Sequence, residues 1–158
     1  MSVPLRPPPP GYWALAPTLA QLRRELLFAY EAPASSYGTI ADKRHQARKS
    51  DHRPDQRRYV RALDVPGAEH GGPPLRLLAM LLRLMGESGS QRLNPGGYVI
   101  HNHRIASEVQ GWSWRPYSGD NPHVGHLHVS CSLLPQFYVL QHRWNVVAQI
   151  AALRQAES

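Results

Sequence analysis

Nine histidines in 158 residues is a high count, and three of them fall in His123-Val124-Gly125-His126-Leu127-His128. Residues two apart on a strand share a face, so His126 and His128 project together while Leu127 and Val129 face the core. Convergent neutral imidazoles suit a metal ion, and zinc takes them readily. An H-x-H pair also occurs on solvated surface strands, so the pair alone does not make a site. A catalytic zinc wants three protein ligands and one open position. Upstream, His52 in Ser50-Asp51-His52 and Asp64 in Ala62-Leu63-Asp64 could complete such a set with His128. The alternative for Asp64 is a turn former at a strand end beside Pro66-Gly67. For His52 it is one more solvated side chain in a basic loop.

That loop holds most of the charge. Of a net +7, residues 43–61 contribute +6, through eight basic and two acidic groups. The segment reads either as a solvated loop or as a patch for a polyanion or anionic substrate groups. Charge alone does not choose between nucleic acid, a cell-wall polymer and a carboxylate-bearing peptide. The single cysteine, Cys131, excludes an internal disulfide and reads as a buried small residue. No run of about 18 apolar residues is present, so no membrane span is expected. No basic stretch followed by an apolar one opens the chain, so synthesis in the cytoplasm without a secretory signal is the expectation.

Several elements must position these side chains. Fifteen prolines, four of them at positions 7–10, mark residues 1–16 as an extended arm. Leu19, Leu22, Leu26, Leu27 and Tyr30 recur at helical spacing, which predicts a helix capped by Thr18 and ending near Glu31. Residues 33–57 read as loop, 59–65 as a strand closed by Pro66-Gly67, and 66–74 as a connector. Pro74 opens a helix over 75–85 that is apolar almost all round, hence expected to be buried, with Gly86 as its stop. Residues 98–105 and 126–131 read as strands, and 136–155 as a terminal amphipathic helix. The order does not suggest regular βαβ alternation, so the class is α+β. The domain proper would be residues 17–135, with 136–158 packed on it.

Three ordered stretches carry a family resemblance: Ser50-Asp51-His52-Arg53-Pro54-Asp55, Arg61-Ala62-Leu63-Asp64-Val65, and the run from Tyr117 through Asn121-Pro122-His123 to His128-Val129-Ser130. Together they resemble the M15-type zinc peptidases, the D-alanyl-D-alanine carboxypeptidase or VanY-like group, in the versions found in actinobacteria and their phage endolysins. The resemblance covers residues 37–130. It implies a small antiparallel sheet flanked by helices, of the hedgehog/D-Ala-D-Ala peptidase kind. It further implies zinc held by His52, Asp64 and His128, with His126 as general base or transition-state stabiliser and His123 as a nearby accessory. The substrate would be a peptidoglycan stem peptide, cut by an endopeptidase or a carboxypeptidase acting on the wall after release. Anionic wall polymers would be attracted by the basic segment. Some members carry a Glu where Gly125 stands, and Arg53, Arg58 and Ala41 also depart from the pattern.

Arg48 resembles the family's basic residue near the first ligand and could pair with a substrate carboxylate, or be a solvated charge. Trp112, Trp114 and Tyr117 could wall a substrate groove or form a packed aromatic cluster. His101 and His103 read as alternating on one strand face with a surface role, His45 and His70 as solvated loop residues, and His142 as an edge residue of the last helix. The rival enzyme class is a metal-dependent nuclease using the basic segment. It lacks the expected Asn-plus-His motif, so no nucleic-acid partner is expected. A non-catalytic wall-binding domain on the same fold is the third reading.

Overall fold

The computed structural model describes residues 6–39 and 50–158. It is α+β, as its sequence suggests. Strands β3 (Ala62–Pro66), β4 (Tyr98–His101), β5 (Arg104–Ser107), β6 (Arg115–Pro116) and β7 (His126–Ser130) form one sheet in the order β3-β7-β4-β5-β6. All its pairings are antiparallel. A separate two-residue ribbon pairs β1 (Ala14–Leu15) with β2 (Tyr59–Val60) in parallel. The helices are α1 (Pro17–Ala29), α2 (Leu75–Glu87), α3 (Pro135–Tyr138) and α4 (Val146–Glu157).

The expected strand over 59–65 is two strands. The chain changes partner at Arg61, whose N–H donates to the Asp51 carbonyl while its own carbonyl accepts from Cys131 N–H. The expected strand over 98–105 is a hairpin. Asn102 and His103 both take positive φ, 49° and 66°, the backbone that a tight two-residue turn requires to match strand twist. His103 therefore sits in the turn and does not share a strand face with His101.

α1 starts at Pro17, not after a Thr18 cap; Thr18 is fully buried inside the helix. Leu19, Leu22 and Leu26 are fully buried, and each such side chain stabilises the fold by about 1.5–3 kcal/mol. The helix ends at Ala29, two residues before the expected end. The Pro-rich arm is not free up to residue 16, because β1 is part of the fold. Arg58 Nε also donates to the Pro8 carbonyl, and Tyr59 Oη to that of Arg6.

The terminal helix is broken into α3 and α4. Between them Trp144 is buried and its Nε1–H donates to the Thr18 carbonyl at 2.8 Å. The Glu25 carboxylate accepts from the N–H groups of Trp144 and Asn145 at 2.9 and 2.8 Å. Those bonds fasten the start of α4 to α1 and require the intervening backbone to leave the helix, with Asn145 at φ 58°.

α2 buries Leu75, Leu77, Leu78, Leu81 and Leu82 but leaves Arg76 and Leu84 exposed, so it is not buried all round. Gly86 lies within this helix rather than stopping it. The Trp112 indole occupies the space beside it: a Cβ on Gly86 would fall 2.3 Å from the ring. Trp112 is thus a core residue, with Nε1–H donating to Asn94 Oδ1 at 2.9 Å.

Gly86→Ala sets two effects against each other. Helix propensity favours alanine by about 1 kcal/mol, while overpacking costs about 1–3 kcal/mol. With rigid indole atoms at 2.3 Å, overpacking is expected to win, and urea unfolding should show a net loss of stability.

Candidate metal centre

β7 lies between β3 and β4, and the register sets Asp64 and Ile100 opposite His128 on its two sides. Leu127 and Val129 are fully buried on the core face. His126 and His128 therefore emerge together on the other face, beside Asp64. Asp64 lies inside β3, not at a strand end. Its backbone is clasped on the outer side by Gly38, which donates to the Asp64 carbonyl at 3.1 Å and accepts from Asp64 N–H at 2.8 Å. A side chain on Gly38 would press on the carboxylate, since its Cβ would lie 3.1 Å from Asp64 Oδ2.

His52 arrives from a turn in which its N–H donates to Ser50 Oγ. Asp51 in that turn is anchored by Arg61 Nη2 at 2.6 Å. The result is a triangle: His52 Nε2, His128 Nδ1 and Asp64 Oδ1 are each 3.2 Å from the other two. In a tetrahedral zinc site, bonds of about 2.0–2.1 Å place ligand atoms about 3.3–3.4 Å apart. The three edges match that requirement.

The far side of each ring supports the same reading. His52 Nδ1 is 2.7 Å from the Thr39 carbonyl, which can only accept. The neutral ring therefore carries its proton on Nδ1 and turns the Nε2 lone pair inward. His128 Nε2 is 2.8 Å from Ser130 Oγ, leaving Nδ1 toward the centre. Such outer partners orient metal-binding imidazoles. Asp64 Oδ1 is buried with no hydrogen-bond donor in good geometry, an arrangement that costs energy unless a cation or proton compensates it. His52, Asp64 and His128 can thus hold a metal ion.

The electrostatics follow from the same contacts. Burial alone would push the Asp64 carboxyl up, but the imidazoles of His128 and His52 overcome it and hold the group below the usual carboxylate range. Burial opposes charge on His52, yet the Asp64 carboxylate outweighs it and the imidazole pKa is raised. His123 is lowered to about 4, by burial first and then by neighbouring His128 and His126, so it is neutral near pH 7.

His126 Nε2 stands 4.0 Å from Asp64 Oδ2, and the His123 and His126 ring centroids are 4.6 Å apart. An open cleft of about 550 Å³ lies over this side, lined by Ser36, Gly38, Asp64, Pro66, His70, Gly125 and His126. Tyr117 meets His123 edge to face at 5.7 Å, at the margin of the histidine group. Trp114 packs against the core with Arg104 over its ring at 5.0 Å, away from the cleft lining. Arg48 and the stretch 43–49 of the basic segment lie outside the described residues.

Sequence reasoning missed four contributors. Gly38 and Thr39 act through backbone groups, which leave no chemical signature. Tyr98 stacks on His128 with centroids 5.1 Å apart and planes 8° from parallel. Ser130 could have been found, because it lies two residues beyond His128 on the same strand face. His70 is exposed, as read from the sequence, and borders the cleft. The chain matches no protein-family model, no curated protein and no solved structure.

The pKa directions fix a pH dependence for the metal-free chain. Raised His52 contributes stability that is full below its unfolded value of about 6.5 and lost as pH rises through its folded value. Lowered Asp64 contributes stability present above about 3.8 and lost as pH falls through its folded value. A metal replaces the proton on His52, so metal binding strengthens as pH rises. Chelation is therefore expected to lower the melting temperature more at pH 7.5 than at pH 5.5, as read by thermal unfolding with and without zinc.

Proposed function

We propose that this chain is a zinc-dependent peptidase that hydrolyses an amide bond in peptidoglycan stem peptides. The observation that carries the reading is the triangle of His52, Asp64 and His128 with an open cleft beside it and a further imidazole, His126, at its margin. The donor set favours zinc over magnesium or calcium, because two imidazoles and one carboxylate suit a borderline-soft ion and not an oxygen-seeking one. The three ordered motifs, which resemble those of M15-type peptidases, supply the substrate class.

Zinc held there would supply Lewis acidity, lowering the pKa of water to about 7 and polarising the scissile carbonyl. The chain's own residues would do the rest. His52 and His128 are aimed by Thr39 and Ser130, so the ligands need no reorganisation when the substrate arrives. His126, partly exposed on the cleft side, accepts the proton of the attacking water on its ring and returns it to the leaving amine. Gly125 leaves the neighbouring position without a carboxylate, so His126 is the general base. His123 and Tyr117 border the substrate on that side. Arg48 pairs with a stem-peptide carboxylate, and the basic segment draws the enzyme to anionic wall polymers. No helix among the described residues is long and apolar enough to cross a membrane. The resemblance to phage endolysins implies that the chain would reach the wall by release from the cytoplasm.

Purified peptidoglycan, incubated with the chain and assayed for newly freed amino groups, tests the reading. Hydrolysis is expected to stop with a chelator and return with zinc. His128→Ala should lose both metal and activity. His126→Ala should keep the metal of the triangle and lose about 10²–10⁴-fold in rate. Undiminished hydrolysis by the metal-stripped chain would overturn the proposal, and loss of the tightly bound metal in both variants would make His126 a ligand.

A further inference from the structure

Asp64 has a second oxygen, and it faces a third imidazole, that of His126. Asp64, His123 and His126 each offer a ligand atom, all within 4.8 Å of one another. His123 is buried, 8% exposed. Its Nδ1 is 2.6 Å from the Asn121 carbonyl, which fixes the proton there and leaves Nε2 bare. Its backbone N–H is held by Asn121 Oδ1 at 2.9 Å. His126 Nε2 faces Asp64 Oδ2 at 4.0 Å, not the Oδ1 that completes the triangle. The carboxylate thus presents Oδ1 to His52 and His128 and Oδ2 to His126.

We propose that Asp64, His123 and His126 form a second divalent-metal site, sharing Asp64 with the first and binding more weakly. Its ligands, two imidazoles and one carboxylate, select the same class of borderline-soft ion, such as zinc, cobalt or nickel, over magnesium or calcium. Weaker binding follows from geometry. The first set already has 3.2 Å edges, whereas in the second His126 Nε2 stands 4.0 Å from Asp64 Oδ2 and must be drawn inward to close. His126 is partly exposed and can move; His123 and Asp64 are held. An ion in the second site takes the His126 lone pair, so excess metal inhibits hydrolysis. That consequence rests on His126 being the base in the proposed function; the site itself does not.

The test uses the full chain, stripped by chelator and titrated with zinc alone by equilibrium dialysis and elemental analysis. Wild type is expected to take two equivalents, the second at least about tenfold weaker, a gap of about 1.4 kcal/mol. His123→Asn, which tolerates the left-handed backbone of that position, should take one equivalent with the tight constant unchanged, and so should His126→Gln. His128→Ala should lose the tight equivalent. Wild type saturating at one equivalent, or a second equivalent surviving in both His123→Asn and His126→Gln, overturns the second site. If that single equivalent disappears in His128→Ala, the first site stands without the second. If no zinc binds at any concentration, both sites fall.

Discussion

A buried carboxylate oxygen with no donor is unstable on its own, and at Asp64 Oδ1 the fold builds one and turns two imidazole nitrogens toward it. Asp64 can hold that position only because β3 is gripped on both edges, by β7 on one side and by the Gly38 backbone on the other. The register that places Asp64 opposite His128 is fixed by the core, since sliding β7 by one residue would turn Leu127 and Val129 out of the core and His126 and His128 into it. The hydrophobic alternation of one five-residue strand thus decides where the chemistry sits.

The outer bonds divide the labour between sequence-distant segments. Thr39 lies before the undescribed stretch and Ser50 after it, and both aim His52. Arg61, at the break between β2 and β3, holds Asp51 with its guanidinium and its backbone, and also reaches the Cys131 carbonyl. The residue at which the strand changes partners is the one that ties the His52 turn to the sheet. The break that splits the expected strand over 59–65 is consequently part of how the first histidine is delivered.

The sequence made the α+β class legible, along with the helix at 75 and the shared face of His126 and His128, because each follows from periodicity or from proline and glycine at an element's edge. It also made the three residues of the triangle legible as a candidate set, through residue type and the family resemblance. Breaks within elements were not legible. Arg61 carries no breaker chemistry; its departure is set by long-range pairing. Residues 139–145 lie outside the helices, and Glu25, more than a hundred residues earlier, takes the N–H groups of Trp144 and Asn145 at the end of that stretch. Gly86 looked like a stop because glycine often is one; here it makes room for Trp112. Backbone ligands of a side chain, such as Thr39, are invisible to any reading based on residue type.

The Asn102-His103 turn shows how such a misreading can conceal function. Read as strand, it would carry His101 and His103 on one face with nothing to do. As a turn it grips the segment that carries His123 and His126: Asn102 and His103 donate their N–H groups to the His123 and Pro122 carbonyls, both at 2.9 Å. His101 Nδ1 lies 3.1 Å from the His123 carbonyl and 3.4 Å from that of His126, and a carbonyl only accepts, so the ring donates to this segment. Burial lowers the His101 pKa, which suits a neutral ring donating through Nδ1. The His103 carbonyl accepts from Tyr117 N–H at 2.8 Å, adding the strand before the histidine segment to the same clasp. The left-handed backbone at Asn102, His103 and His123 is compensated by these bonds, each of which costs more to leave unmade than it contributes when made. Residues 101 and 103 therefore serve the candidate site without belonging to it: His101 through its ring and His103 through its backbone hold in place the segment that carries His123 and His126.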